Sequence, residues 1–205
     1  CVRIENNLDL REIDSINYSL RIDSKYLKKI PWQFNFESEI KKITSSKEIL
    51  IDDDIFILNK KNLNIRETEN NINEILKIAS TNISTDLKNI KIDKIEKDYI
   101  FGKKYIYKIY LDLLELENFS DLEIFINIIN PSKAFLNVDN KNINVNKNKI
   151  NWKILPGEIN QVEFSFWYWN RSLICSSAII LMIIFAYYIR KKRYELGSNL
   201  PQLPS

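Results

Sequence analysis

The chain has 205 residues, with 30 Lys and Arg against 27 Asp and Glu and no histidine. Residues 190–205 hold four of the cations and one of the acids, leaving 26 of each, so the preceding part is formally neutral and lacks the clustered positive field of a nucleic-acid binder. The missing imidazole removes the commonest general base and zinc ligand, and three glycines are too few for a P-loop or dinucleotide fingerprint; the expectation is no catalytic activity, no metal and no cofactor.

In chain order, Val2, Ile4, Leu8 and Leu10 share one parity. Ile16, Tyr18, Leu20 and Ile22 then alternate with polar residues, which predicts a β-hairpin with its turn at Glu12 to Ser15. Pro31 sets a boundary, and Trp32, Phe34, Phe36, Ile40 and Ile43 suit a short amphipathic helix ending near Ser45. Ile49 to Leu58 reads as a strand interrupted at Asp52, Asp53 and Asp54. Without a glycine to turn a calcium loop, that acidic triplet reads as a solvated bend. Leu63 and Ile65 continue as a short strand. Ile72, Ile75, Leu76 and Ala79 then predict a helix over 67–80, capped by Thr68 or Asn70.

Ile90, Ile92 and Ile95 lead to a tight hairpin around Phe101 to Lys103, where Gly102 permits a positive φ. Tyr105, Tyr107, Ile109, Leu111 and Leu113 form the return strand. Residues 121–130 are apolar on both parities, which predicts a central strand ended by Pro131. A polar hairpin follows over 137–148. Ile150, Trp152 and Ile154 then enter a type II turn at Pro156-Gly157, and Val162, Phe164 and Phe166 form its partner strand. These elements predict an α+β domain, a strongly bent antiparallel sheet with two helices on one face, followed by a single C-terminal transmembrane helix.

That last helix rests on Leu173 to Ile189, an uncharged run that crosses roughly 25 Å of a bilayer core about 30 Å thick. Trp167, Tyr168 and Trp169 precede it as an aromatic belt, and Arg190, Lys191, Lys192 and Arg193 follow as a basic stop. The positive-inside rule then places the C-terminus in the cytoplasm. A first residue of Cys reads as the product of a lipoprotein signal peptide, with Cys1 the lipidation site. Cys175 lies in the span, so no disulfide between the two is expected. The predicted organisation is an extracytoplasmic domain over 1–166, the belt and transmembrane helix over 167–189, and the basic stop with a disordered cytoplasmic tail over 190–205.

Trp152, Leu155, Pro156, Gly157, Asn160, Val162, Glu163, Phe166 and Trp167 form the pattern W-x-x-L-P-G-x-x-N-x-V-E-x-x-F-W. With a start of Cys1-Val2-Arg3, this pattern resembles a family of cyanobacterial membrane-anchored lipoproteins of unknown function, itself remotely similar to the mycobacterial LppM-type lipoproteins. The resemblance implies a lipid anchor, an α+β ectodomain in the periplasm or thylakoid lumen, a C-terminal membrane helix and, for the LppM-type members, recognition of envelope lipids. It implies no catalytic residues: Trp152 and Pro156-Gly157 would shape the last hairpin.

Two functions fit. In one, the domain binds a membrane lipid or other hydrophobic ligand, with Phe34, Phe36, Tyr105, Tyr107, Phe125 and Trp152 as candidate lining. In the other, it is a structural or assembly partner of a membrane protein complex.

Overall fold

The computed structural model describes residues 2–23, 38–42, 44–45, 47–52, 55–83, 88–117, 122–199 and 201. Cys1, Phe34, Phe36, Asp53 and Asp54 lie outside them. Two compact units are present, residues 1–97 with 104–168, and residues 98–103 with 169–205.

In the first unit, β1 (Val2–Asp9) and β2 (Ile16–Asp23) form the predicted hairpin, antiparallel with Leu8 opposite Tyr18. Residues 38–42 are helical, within the expected aromatic helix. β3 (Ile49–Asp52) and β4 (Ile55–Leu63) make a second hairpin that places Asp52 opposite Ile55. Asn62 adopts φ 58°, where β4 takes one residue more than β2, and the Asn17 side chain accepts its N–H at 3.0 Å.

Helix α1 (Ile65–Ile83) starts earlier than its apolar period suggests, and its cap is neither Thr68 nor Asn70. Asn64 Oδ1 accepts from Glu67 N and Glu67 Oε2 accepts from Asn64 N, both at 2.8 Å, a reciprocal pair that satisfies two otherwise orphaned donors. The helix packs on β2 and β4. Farther along it, Glu69 and Asn73 side chains accept the N–H groups of Ile92 and Ile90. Two backbone donors where β5 (Lys91–Tyr99) begins are thereby satisfied by the helix.

Strand β6 (Gly102–Asp112) follows after two residues, then a 3-10 turn at Leu114–Leu116. β7 (Leu122–Ile129), β8 (Phe135–Leu136), β9 (Ile143–Asn146), β10 (Lys149–Ile154) and β11 (Ile159–Trp169) complete the strands. They form two sheets where one bent sheet was expected, a seven-stranded sheet ordered β3-β4-β2-β1-β7-β10-β9 and a four-stranded sheet ordered β5-β6-β11-β8. β7 is central, as its two apolar faces suggest. Its pairing with β1 is parallel, because the chain returns to β1 only after the long excursion through β2 to β6.

The physical reason for two sheets lies at Pro156-Gly157. β10 belongs to the large sheet and β11 to the small one, so this turn is a corner between sheets and the expected last hairpin does not form. Gly157 takes φ 80°, and a Cβ there would lie 2.9 Å from Glu117 Cα. Asn160, buried, accepts from Leu155 N at 2.8 Å and donates to the carbonyls of Leu155 and Glu158 at 2.9 and 3.1 Å. Gly157 N donates to Leu113 O at 2.8 Å, and Leu113 N to Glu158 O at 3.1 Å. Both sheets and α1 then supply one continuous core, with Tyr18, Leu58, Ile128 and Trp152 from the large sheet, Tyr105, Ile109 and Phe164 from the small one, and Ile72 and Ile75 from the helix. Burying each of the larger side chains stabilises the fold by about 1.5–3 kcal/mol.

The second unit is built on helix α2 (Arg171–Ser198). Asn170 caps it, its side chain accepting from Leu173 N at 3.2 Å. The helix spans about 42 Å at 1.5 Å per residue. Its apolar window has mean hydropathy 2.2, it is long and apolar enough to cross a membrane, and none of its side chains is buried. Ser176 and Ser177 turn their hydroxyls back onto the carbonyls of Ser172 and Leu173, both at 2.8 Å, which satisfies them within the helix.

Candidate functional site

Four aromatic rings on β6 and β11 form the inner wall of the small sheet. Tyr107 stacks on Phe164 at 5.5 Å between centroids and on Phe166 at 5.8 Å, and Tyr105 tilts against Phe166 at 5.6 Å. They meet because alternate residues of neighbouring strands share a face. Over this wall lies the β1–β2 turn, with Leu10 buried and Ile13 half-buried against the core. Lys94 of β5 holds the turn in place: its Nζ donates to Ile13 O at 3.3 Å and lies 4.7 Å from the centre of the Tyr105 ring.

Beside the turn is an open groove of about 350 Å³. Ile13, Ile16, Leu63 and Ile65 give it apolar walls, Tyr107 an aromatic one, and Asp14, Arg66 and Lys94 bring charge to it. A second, dry gap shares Ile13 and Tyr107 with the groove, continues under Leu10 and Phe166, and is too narrow to admit water. The groove is therefore amphipathic, with two cations and one carboxylate around an apolar strip. Burial first, then Tyr105 and Glu96, hold the Tyr107 phenol well above the ordinary tyrosine range, so it stays a neutral donor at physiological pH.

The structure brings Tyr105 and Tyr107 together at this wall. Trp152 is buried on β10 between Ile126 and Ile143 and lines neither space. Phe125 lies on the opposite face of the large sheet, its ring under Arg3 at 4.8 Å and Lys153 at 6.0 Å, because its parity is opposite to that of buried Ile126. Of the expected belt, Trp167 is half-buried, its backbone bonded to Ser132 Oγ and its ring 5.9 Å from Lys104 Nζ. Tyr168 and Trp169 are 37% and 49% exposed. Arg190 to Arg193 are exposed on the last turns of α2, where Arg190 also lies 5.6 Å from the Tyr194 ring.

Sequence reading missed the groove residues Ile13, Arg66 and Lys94, which come from three separate segments. No local signal marked Lys94, one of six charged residues among the nine of KIDKIEKDY. Among the described residues, no group of three or more His, Cys, Asp or Glu could hold a metal ion.

Comparison with curated proteins gives no match. Among solved structures, the folded domain of the Mycobacterium tuberculosis protein LppM, determined by NMR, is similar at 12% identity and a TM-score of 0.41, over 84% of this chain and 92% of that one. A model for proteins of unknown function, DUF3153, matches residues 5–196, nearly the whole chain, Pro156-Gly157 corner and apolar helix included, and the chain belongs to that family.

Proposed function

We propose that this chain is a non-catalytic, single-pass membrane protein whose domain takes an anionic amphiphile, such as an acidic membrane lipid, into the groove over Tyr107. The observation that carries this reading is the groove's make-up: Arg66 and Lys94 beside an apolar strip, at a volume within the range of about 300–1,000 Å³ typical of ligand sites. A cationic rim suits a phosphate or carboxylate headgroup. The apolar strip suits the start of a hydrocarbon chain, and the dry gap under Ile13 is the direction in which that chain would run if the β1–β2 turn lifted. Membrane attachment is supported by α2, whose uncovered apolar side chains would be costly in water and whose serines are satisfied internally. Arg190 to Arg193 favour a cytoplasmic C-terminus.

The test uses the full chain in phosphatidylcholine nanodiscs doped with a phosphatidylglycerol that carries a diazirine in its acyl chain. Cross-links mapped by mass spectrometry should fall on the segments around Ile13, Leu63 to Arg66 and Tyr107, as well as on 171–198. Pairing Arg66→Glu with Lys94→Gln should remove the first set and leave the second. Cross-links confined to 171–198 in the unaltered chain would sink the groove as a lipid site and favour the assembly-partner reading.

A further inference from the structure

The two residues that connect β5 to β6 are Ile100 and Phe101. Connections of this length in a hairpin ordinarily carry Asn, Asp or Gly, which tolerate the required backbone and keep the turn solvated. Here Tyr99, Ile100 and Phe101 form an apolar run that is 51%, 80% and 42% exposed. Lys97, Lys103 and Lys104 flank it, and Asp98 sits 3.3 Å from Lys103. Side chains of this kind at a turn need an apolar surrounding, and nothing in the chemistry of a solvated hairpin calls for them.

Where the tip sits supplies that surrounding. Asn170 N donates to Phe101 O at 2.8 Å, and Asn170 is the N-cap residue of α2. The tip is thus fastened to the first turn of the apolar helix, alongside Trp169, which is 49% exposed. In sequence, Lys97, Tyr99, Ile100, Phe101, Lys103 and Lys104 place an aliphatic side chain between two rings with lysines on either side, and Trp169 directly precedes Asn170. That is the residue order of an interfacial membrane contact, in which rings take the headgroup layer, an aliphatic side chain reaches deeper and ammonium groups face phosphates.

We infer that the β5–β6 tip is a second membrane-contact element, inserting Ile100 into the same leaflet that α2 enters. The inference rests on the reading of α2 as a membrane span. One strand pair and one helix then meet the lipid surface together, which restricts how the N-terminal end of α2 can rotate. The continuity of the tip with the helix's first turn favours lipid as the occupant over a protein partner.

The experiment places an environment-sensitive nitrobenzoxadiazole label on single cysteines, in a Cys1→Ser, Cys175→Ser background of the full chain reconstituted into phosphatidylcholine and phosphatidylglycerol vesicles. The label sites are Ile100→Cys, Tyr99→Cys as a second tip position, Ile184→Cys on α2 and Lys141→Cys, an exposed polar position. Both tip labels should show a blue-shifted emission and lose intensity to lipids carrying a nitroxide at headgroup level or high on the chain. The label at 184 should lose intensity to deep nitroxides, and that at 141 to neither. Quenching at 184 with aqueous emission at both 99 and 100 overturns the inference and leaves the span intact. Absence of lipid quenching at 184 removes the span, and this inference with it.

Discussion

At Pro156-Gly157 the chain turns inside a cage of hydrogen bonds, and at Ile100-Phe101 it turns with large apolar side chains uncovered. The first turn is held by Asn160, Leu113 and Glu158, has a glycine at φ 80° and leaves no room for a Cβ beside Glu117. The second is held to Asn170 by one backbone bond at its outer end. The difference separates residues that specify the fold from residues available for contact. Pattern residues clustered at the corner, Trp152 and Asn160 among them, are there because two sheets must be joined at a fixed angle. The tip residues satisfy no such demand, so their apolar character needs a reason outside the domain.

Substitutions at the corner should therefore cost stability, and the largest loss is expected for Trp152→Ala. That side chain is 1% exposed on β10, and removing a buried large aromatic costs about 3–5 kcal/mol. Asn160→Ala comes next: it takes the amide partner from the half-buried Leu155 N–H and carbonyl, for about 2–4 kcal/mol at roughly 1–3 for each unsatisfied group, while Glu158 O keeps the Leu113 N–H. Gly157→Ala should cost about 2 kcal/mol, from the left-handed backbone and from displacing Glu117. Thermal unfolding of the full chain in mild detergent, followed by near-ultraviolet circular dichroism, orders the three. A Gly157→Ala protein that unfolds with the unaltered chain would show that the corner is not the rigid joint described here.

This contrast was only partly visible in the sequence. Alternation gave the N-terminal hairpin, and two-sided apolarity gave the central place of β7, because both follow from local pattern and burial. Sheet membership does not. Pro156-Gly157 has the chemistry of a hairpin turn, and only Asn160's three bonds and the separate pairings of β10 and β11 reveal a corner. Phe125 was read as ligand lining because an apolar residue on a two-sided strand carries no mark of which face looks inward; Arg3 and Lys153 come beside it only after pairing. The chain is rich in asparagine, which by itself points to no structure. Yet Asn59, Ser19, Asn7, Asn127, Asn151 and Asn144 fall in register across six strands, and Asn127 donates to Asn7, which donates to Ser19, at 3.0 and 3.1 Å. Register is a long-range property that no window of sequence contains. The groove was invisible for the same reason.

The pH dependence of the first unit sharpens the comparison, since it reads the interior alone. Tyr18 is fully buried, its hydroxyl donating to Asn6 Oδ1 at 2.8 Å, and burial pushes its ionisation far above the ordinary range. An unfolded tyrosine begins to lose its proton near pH 10, while the folded one keeps it. The folded state then binds more protons, so the stability Tyr18 contributes is complete below about pH 10 and is lost as pH rises beyond it. Tyr18→Phe should reduce that alkaline loss, at a cost near neutrality of about 0.5–1.5 kcal/mol for the hydrogen bond. At the acid end, Lys88 at 2.8 Å and then the Leu114 N–H hold Asp112 below the usual carboxylate range. Its contribution is present above about pH 4 and fades as pH falls through the folded value. Lys88→Met should flatten the acid limb without touching the alkaline one. Stability measured across pH separates the two, and an unchanged alkaline limb in Tyr18→Phe would mean that phenol is hydrated in the folded state.

The smallest stability effect is expected where the chemistry looks most out of place. Ile100 is 80% exposed, so Ile100→Ser removes almost no buried area and opens no cavity. The Asn170 to Phe101 bond uses backbone atoms and survives the change. Unfolding in detergent should shift by no more than about 0.5 kcal/mol, within the range of ordinary surface substitutions. Serine also lowers strand propensity, but at a turn position that term is weak and acts in both states. Were Ile100→Ser to destabilise the protein by as much as Gly157→Ala, the tip would be part of the fold's own joinery, and the distinction between the two turns would disappear.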